Sequence, residues 1–355
     1  MSRSVPHRVA AFTFTADVKM ATTDYTALEP ESEAPRLGHL LAPCLVTATS
    51  LCLAVLLLSR VALQPWLGAV ELDGQPPVAC IFIHGAGSPD AAAPSASDPI
   101  YWGRVNEFLP RCSVFRFMHE DTLHAGWEDL SLQMRTCALL SEMSEALPPS
   151  QVVIFAHSLG NLLLAGALDR GLCSLPSAAA WYAVAAPWAG SRAADRLPEV
   201  CAGLSSGAVG PLVRSLARRQ RFCDGVNSTP SVGYLSLSTA NLQLRDVAAR
   251  WQARVNGTMC GDSAFGLWSA DSMELQALAD VVRFGERNDG AVPTASCHPP
   301  GVEPARTHDS EHFTAAANHY DLTCRHGDAS LPFSGDDRMP CSWYVAMLER
   351  ALATS

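Results

Sequence analysis

A serine, an aspartate and a histidine of this chain each lie in a short motif, and together they are the residue types that nucleophilic catalysis by a serine uses. Ser158 lies in the pentapeptide AHSLG at 156–160, Asp289 lies in a turn-forming Asn-Asp-Gly, and His319 lies in Asn-His-Tyr-Asp. A serine hydroxyl is a poor nucleophile until a base takes its proton, and the base must be oriented by an acid. The sequence therefore predicts acyl-transfer chemistry, with Ser158 as nucleophile, His319 as general base and Asp289 as the acid.

Other carboxylates and histidines leave alternatives open. Asp280 lies inside a stretch predicted as a strand, whereas Asp262 and Asp271 lie in a predicted insertion. Among the histidines, His326 follows His319 closely and is its main competitor for the role of base.

The transition state of acyl transfer also needs hydrogen-bond donors for its oxyanion. The stretch HGAG at 84–87 follows the first predicted strand and can turn backbone N–H groups toward the serine. We expect the amides of Ala86 and Leu159 to form the oxyanion hole, although HGAG alone is also an ordinary glycine turn. His84 and His157 are expected to order this loop and the serine turn rather than to react.

The predicted elements place these groups at one edge of a sheet. Five apolar or β-branched residues at 152–156 predict a buried strand, and a helical pattern begins directly after Ser158. Small residues on both sides of Ser158 let the strand and the helix approach closely. Further strands are predicted at 78–83, 113–118, 180–185, 275–284 and 313–317, alternating with helices that include 100–109, 127–146 and 340–352. This alternation predicts an α/β fold with a mainly parallel sheet covered on both faces.

The motifs IFIHGAG, VVIFAHSLGN, AAPWAGS, NDGAVP and NHYD together resemble those of lipases and esterases of the α/β-hydrolase superfamily, over about 78–324. Ala156 replaces the usual first glycine of the nucleophile elbow. The APWAGS stretch is similar to one in lecithin–cholesterol acyltransferase-like proteins, with Ala189 in place of a second glycine. The resemblance implies the α/β-hydrolase fold, a carboxylic-ester substrate and no cofactor.

Composition and hydropathy divide the chain into four parts. Residues 1–36 predict a disordered cytosolic tail, 37–59 a transmembrane signal anchor without a charged residue, and 60–77 a linker. The catalytic domain is expected over 78–355, with a cap inserted at about 192–273 where the alternation of strands and helices stops.

The cysteines and glycosylation sequons indicate the compartment. Ten of the twelve cysteines are dispersed downstream of the apolar stretch, which favours disulfides over a zinc site, and no metal site is predicted. Sequons begin at Asn227 and Asn256. We therefore expect a single-pass type II membrane protein with a lumenal or extracellular catalytic domain; secretion after signal cleavage is the alternative.

The predicted partners are an ester substrate and, through the anchor, a membrane. Trp188, Trp251, Phe265 and Trp268 could line an acyl pocket or could form the core of the cap instead. The predicted membrane anchor and the apolar residues of the predicted cap both favour lipid esters as the substrates. A basic run bracketed by Cys201 and Cys223 could face anionic headgroups or simply be solvated.

The net charge of −10 argues against nucleic-acid binding, and no oligomeric state follows from the sequence. Alternative functions are acyl transfer, thioester or peptide hydrolysis on the same triad, or binding by an inactive hydrolase fold.

Overall fold

The computed structural model describes residues 76–176, 178–204, 210–223, 229–329 and 335–354. The predicted tail, anchor and nearly all of the linker lie outside these ranges, as does Asn227. Within them, no helix is both long and apolar enough to cross a bilayer.

Seven strands form one sheet in the order β2-β3-β1-β4-β5-β6-β7. Every neighbouring pair is parallel except β2 and β3. The strands are β1 (Ala79–Ile83), β2 (Ala92–Ser95), β3 (Val114–His119), β4 (Val152–His157), β5 (Ala180–Val184), β6 (Gly257–Gly261) and β7 (His312–Ala315). All six residues of the central strand β4 are buried, which agrees with the unbroken apolar run in its sequence.

The described helices connect and cover these strands. They are α1 (Val105–Phe108), α2 (Leu130–Ala146), α3 (Leu159–Asp169), α4 (Arg192–Ala202), α5 (Gly210–Arg219), α6 (Val232–Leu235), α7 (Leu242–Trp251), α8 (Ala270–Val282), α9 (Thr294–Cys297) and α10 (Pro340–Ala353). Short 3₁₀ turns lie at Pro149–Gln151, Gln252–Arg254, Asp321–Thr323 and Asp336–Arg338.

Alternate residues of the central strands enter two different hydrophobic cores. Ile154 and Ala156 pack with α2, α3 and α7, whereas Val153 and Phe155 pack with α1 and α10. Because successive side chains of a strand point to opposite faces, one strand serves both cores. The α/β fold with a mainly parallel, helix-flanked sheet is confirmed.

The strand predicted at 275–284 is wrong, because residues 275–282 belong to α8 and Arg283 is its C-cap. The buried residues Leu275, Leu278, Ala279 and Val282 recur at helical spacing, and Ser269 and Ser272 form a capping box at its start. Asp280 therefore lies on a helix.

The sheet instead continues with β6, inside the range expected as an inserted cap. Its two terminal glycines gave β6 little resemblance to a strand. A Cβ on Gly257 would stand 2.6 Å from the carbonyl oxygen of Glu311, so the close approach of β7 requires a glycine there.

All ten cysteines in the described ranges are paired, which confirms the expected disulfides. The bonds join Cys80 to Cys112, Cys137 to Cys173, Cys201 to Cys223, Cys260 to Cys297 and Cys324 to Cys341. Five disulfides in one domain indicate an oxidising, extracytoplasmic compartment.

Candidate active site

Ser158 occupies a strained turn between β4 and α3. Its backbone has φ 52° and ψ −125°, and the residue is only 3% exposed. A non-glycine residue in such a region costs about 1–3 kcal/mol and persists only where its surroundings enforce it. Here the Ser158 N–H donates to the Val184 carbonyl at 2.8 Å, and the Asn161 side-chain amide donates to the Ala156 carbonyl at 2.7 Å.

Gly160 allows the close approach of helix and sheet that the sequence predicts. A Cβ at this position would lie 2.7 Å from the carbonyl oxygens of both Ile83 and His84. Helix α3 therefore meets the end of β1 directly after Ser158. As the first residue of that helix, Leu159 has an N–H without an acceptor inside the helix.

The loop after β1, residues 84–87, is held by buried hydrogen bonds and is here called the oxyanion loop, after the role that the sequence predicts for it. His84 Nδ1 donates to the Gly85 carbonyl at 2.8 Å, and its Nε2 accepts from the Glu120 N–H at 3.0 Å. Burial lowers the pKa of His84 to about 4, so the ring is neutral at physiological pH. A Cβ on Gly85 would lie 2.7 Å from the Ser158 Cβ, so the loop lies directly against the serine. The expectation that His84 orders this loop agrees with these contacts.

Asp289 and His319 form a buried pair at the carboxyl-terminal edge of the sheet. The Asp289 Oδ2 atom lies 2.8 Å from His319 Nδ1, and the two side chains are 2% and 8% exposed. The other carboxylate oxygen accepts the N–H groups of Ala291 at 2.9 Å and Val292 at 2.7 Å. A backbone bond from the His319 N–H to the Asp289 carbonyl, also 2.8 Å, fixes the two loops together.

The competing histidine, His326, bonds to different acids. Its Nδ1 lies 2.7 Å from Asp321 Oδ1, and its Nε2 lies 3.3 Å from Asp271 Oδ2. The hydrogen bonds with Asp271 and then Asp321 raise the pKa of His326 to about 9. The other oxygen of Asp321 accepts the N–H groups of Leu267 at 2.7 Å and Asn318 at 2.9 Å. Through these hydrogen bonds, Asp321 and His326 fix the position of the loop that carries His319.

One hydrogen-bond chain links three of these loops. The His157 Nε2 lies 3.1 Å from the His319 carbonyl oxygen, and its Nδ1 lies 2.6 Å from the Tyr101 hydroxyl. The same hydroxyl accepts the Gly85 N–H at 2.7 Å. Because a carbonyl can only accept, Nε2 must carry the proton, and Nδ1 of the neutral ring must then accept from Tyr101. Burial holds the pKa of His157 well below its ordinary value, which keeps the ring neutral.

Two further tyrosines stand over the oxyanion loop. The Tyr234 hydroxyl donates to the Ala86 carbonyl at 3.2 Å, and a Cβ on Gly87 would lie 2.5 Å from that hydroxyl. Tyr320 is also buried, and burial raises its pKa to about 12. The Arg325 guanidinium lies 4.5 Å above the Tyr320 ring.

The four aromatic residues predicted to contact substrate lie in three different environments. Trp188 is buried in the core with Trp181, and Trp251 donates its ring N–H to Asp169 at 3.2 Å. Phe265 packs on Trp268, which is 85% exposed. An acyl pocket built from these residues stays a prediction.

Sequence reasoning did not single out Tyr101, Asn161 or Asp321. Asn161 follows the elbow motif directly, and its place in the first turn of α3 was a signal that could have found it. Asp321 is the last residue of the NHYD motif, but its bonds to Leu267 and His326 follow only from the folded loop. Tyr101 acts across a long separation in the chain, and no motif marks it.

No family model and no curated protein sequence matches this chain. Among solved structures, it is similar to the mature lipase BlEst2 of Bacillus licheniformis, with 16% identity and a TM-score of 0.47 over 70% of this chain and 86% of that one. The metagenomic carboxyl esterase MGS0156 has 15% identity and a TM-score of 0.41, over 79% and 76% of the two chains. Lipase 1 of Pelosinus fermentans has 13% identity and a TM-score of 0.41, over 78% and 98%.

Likenesses at this level say nothing of what this chain binds or converts. The sheet order, the serine turn at the end of β4 and the paired acid and histidine after β6 and β7 are features of this chain itself. They follow the order of serine, acid and histidine that this architecture uses. The chain has the α/β-hydrolase fold that its motifs imply.

Proposed function

We propose that this protein is a serine hydrolase that cleaves carboxylic esters through an acyl-enzyme intermediate. The observation that carries the proposal is the buried hydrogen bond between Asp289 and His319, on a loop that is itself bonded to the residue before Ser158. A carboxylate bonded to Nδ1 leaves Nε2 of the neutral imidazole free to accept a proton. That is the tautomer a general base for serine needs.

In the proposed mechanism, Ser158 Oγ attacks the ester carbonyl while His319 Nε2 takes the hydroxyl proton. The negative charge on the carbonyl oxygen is stabilised by the N–H groups of Ala86 and Leu159, of which the second lies at the positive end of α3. His319 then protonates the leaving alcohol. Water then attacks the carbonyl of the acyl-enzyme while His319 takes a proton from the water. His319 returns this proton to Ser158 Oγ as the carboxylic acid leaves.

We further propose that the natural esters are lipids and that the protein is held at a membrane by residues 37–59. The apolar run in that range and the exposed Trp268 support this. Five disulfides support a type II orientation with the catalytic domain on the extracytoplasmic side.

The test is ester hydrolysis by the full chain, expressed through a secretory route and purified in detergent. Wild type, Ser158→Ala and His319→Ala are compared on 4-nitrophenyl esters of increasing acyl length and labelled with a fluorophosphonate. We expect a rate that depends on both residues, rises with acyl length, and accompanies labelling that Ser158→Ala abolishes. If the folded wild-type protein is as inactive as Ser158→Ala in both assays, the proposal that this protein is a serine hydrolase is refuted.

A further inference from the structure

The sequon that begins at Asn256 lies at the edge of the sheet opposite the candidate active site. Asn256 directly precedes β6, whereas Ser158 follows the carboxyl-terminal end of the parallel strand β4. A Cβ on Gly261, the last residue of β6, would lie 2.7 Å from the Asp289 Cβ. The length of β6, about 16 Å, therefore separates Asn256 from the proposed triad. A group attached to Asn256 leaves the catalytic edge of the sheet open.

The Asn256 side chain continues the hydrogen bonding between β5 and β6 with only one of its two polar atoms. Its Oδ1 accepts the Trp181 N–H at 2.8 Å, and its backbone N–H donates to the Trp181 carbonyl at 2.7 Å. Because the Trp181 N–H can only donate, the accepting atom is the oxygen, and this fixes the position of Nδ2. Asn256 is exposed, and within the described ranges no acceptor lies at hydrogen-bond distance from Nδ2. The fold therefore leaves this nitrogen free to carry a substituent.

Thr258, the third residue of the sequon, is in the opposite situation. It is fully buried, and its hydroxyl lies 2.7 Å from Nδ1 of His298 and 2.9 Å from Nδ1 of His312. The motif requires a serine or threonine at this position, so an enzyme that recognises the motif must reach this hydroxyl. In the folded domain, His298 and strand β7 close it off. Modification of Asn256 must therefore precede the assembly of this part of the sheet.

The disulfide between Cys260 and Cys297 helps to determine when the sequon becomes closed. Cys260 lies two residues after Thr258, and Cys297 lies directly before His298. Formation of this bond therefore brings His298 next to the Thr258 hydroxyl. Strand β7 is synthesised later still. The sequon stays open at least until the 37 residues that separate the two cysteines in sequence have followed.

We propose that Asn256 is an N-glycosylation site and that its glycan is attached before β6 is enclosed in the sheet. In this reaction Nδ2 bonds to the anomeric carbon of an oligosaccharide and loses one proton. The bond from that carbon to a lipid-linked diphosphate breaks, and the diphosphate leaves. The oxidising, extracytoplasmic compartment that the five disulfides indicate suits this reaction. The inference does not depend on the proposed ester hydrolysis.

The first experiment expresses the full chain in a eukaryotic secretory host and measures glycan occupancy at Asn256. Peptide N-glycosidase releases the glycan and converts the modified asparagine to aspartate, which mass spectrometry of the peptide detects. We expect a glycan on Asn256 in wild type, in Thr258→Ser, which keeps the hydroxyl, and in Asn227→Gln, which removes the other sequon. Asn256→Asp should lose one step of gel mobility, although its Oδ1 can still accept the Trp181 N–H. An unmodified Asn256 in the wild-type protein overturns the inference.

A second experiment tests the order of glycosylation and folding on the full chain, made in the same host while synthesis of the glycan donor is blocked. The native protein and the reduced, unfolded protein are each incubated with an oligosaccharyltransferase and its lipid-linked diphosphate donor. A short peptide with an Asn-Gly-Thr sequence is the positive control. We expect transfer to Asn256 in the unfolded protein only, because Thr258 is buried in the native one. Comparable transfer to the native protein overturns the proposed order, and transfer to the peptide alone overturns the site.

A third measurement tests the position of the glycan relative to the active site. Enzymatic removal of the glycan from Asn256 leaves the same residue there as Asn256→Asp, so Asn227→Gln treated in this way should have the unfolding temperature of the double variant. For 4-nitrophenyl butyrate, kcat should be the same with and without the glycan. A fall of tenfold or more on removal would contradict a glycan at the opposite edge of the sheet. Because neither glycosylation assay needs turnover, their failure would leave the proposed serine hydrolase standing.

Discussion

Replacing Tyr101 by phenylalanine removes one oxygen atom from the point where the oxyanion loop, the serine turn and the His319 loop meet. That hydroxyl accepts the Gly85 N–H at 2.7 Å and donates to His157 Nδ1 at 2.6 Å. Leaving a buried donor or acceptor without its partner costs about 1–3 kcal/mol. Here one substitution leaves two such groups without a partner, the Gly85 N–H and His157 Nδ1. We therefore expect Tyr101→Phe to lower the free energy of unfolding by about 2–4 kcal/mol.

The same substitution should slow catalysis beyond its effect on stability. Gly85 precedes the proposed oxyanion donor, and His157 bonds to the carbonyl of His319, so both lose a constraint on position. A displacement of about 1 Å at reacting groups can cost about a hundredfold, so we expect kcat for 4-nitrophenyl butyrate to fall by about 10- to 100-fold. KM should change far less, because the oxyanion contact is made mainly in the transition state.

Tyr344→Phe is the matched control. The Tyr344 hydroxyl is also buried, but it donates only to the Leu322 carbonyl, at 2.7 Å. That variant should lose about 1 kcal/mol of stability and keep its kcat. Denaturant unfolding and steady-state kinetics are measured for both. If Tyr101→Phe is destabilised but keeps the kcat of Tyr344→Phe, the hydroxyl only supports the fold and the positioning role is refuted.

Three further substitutions test other parts of the site. Asp289→Asn should fold normally yet lower kcat by about a thousandfold or more, because the amide favours the wrong tautomer of its histidine; full activity would refute the acid assignment. Gly160→Ala should cost about 1–3 kcal/mol in denaturant unfolding and slow turnover, since its methyl group meets two backbone carbonyls at the end of β1; unchanged stability would contradict the close packing. His326 has a pKa raised to about 9 by Asp271 and Asp321, so its contribution to stability is complete below about pH 6.5 and is lost as the pH rises through about 9. A plot of unfolding free energy against pH should show this loss for wild type and not for His326→Gln. If the two plots are parallel, the predicted contribution of His326 to stability is refuted.

The sequence was most informative where local pattern and packing agree. The apolar run at 152–156 forms β4, and the serine after it forms the strained turn. Residues 275–284 misled because Ala-Leu-Ala-Asp-Val-Val contains β-branched and apolar residues that suit either element. The capping serines at 269 and 272 and the helical spacing of the buried residues decide for the helix. Strand β6 could not be predicted from five residues that include two glycines, since its place depends on the neighbours it joins.

The identity of the three proposed triad residues could be predicted from the sequence, but the residues that hold them in position could not. Asp289 and His319 are hydrogen-bonded, as the order of residues suggests. Tyr101 supports them from 56 residues before His157, and a pairing at such a distance follows only from the folded chain. The left-handed backbone of Arg221 likewise has no signature in the sequence, because arginine is rarely found in that conformation.

The five disulfides join each cysteine in the described ranges to the next one along the chain, and they close loops separated by 17 to 37 residues. No loop encloses or overlaps another. A chain that enters an oxidising compartment from its N-terminal side can therefore form each bond as soon as the second cysteine arrives, with no wait for a distant partner. The order in which the cysteines are synthesised is therefore sufficient to specify the pairing. By limiting the conformations of the unfolded chain, each disulfide raises the free energy of the unfolded state by about 3–4 kcal/mol, and it can do so before the sheet is complete.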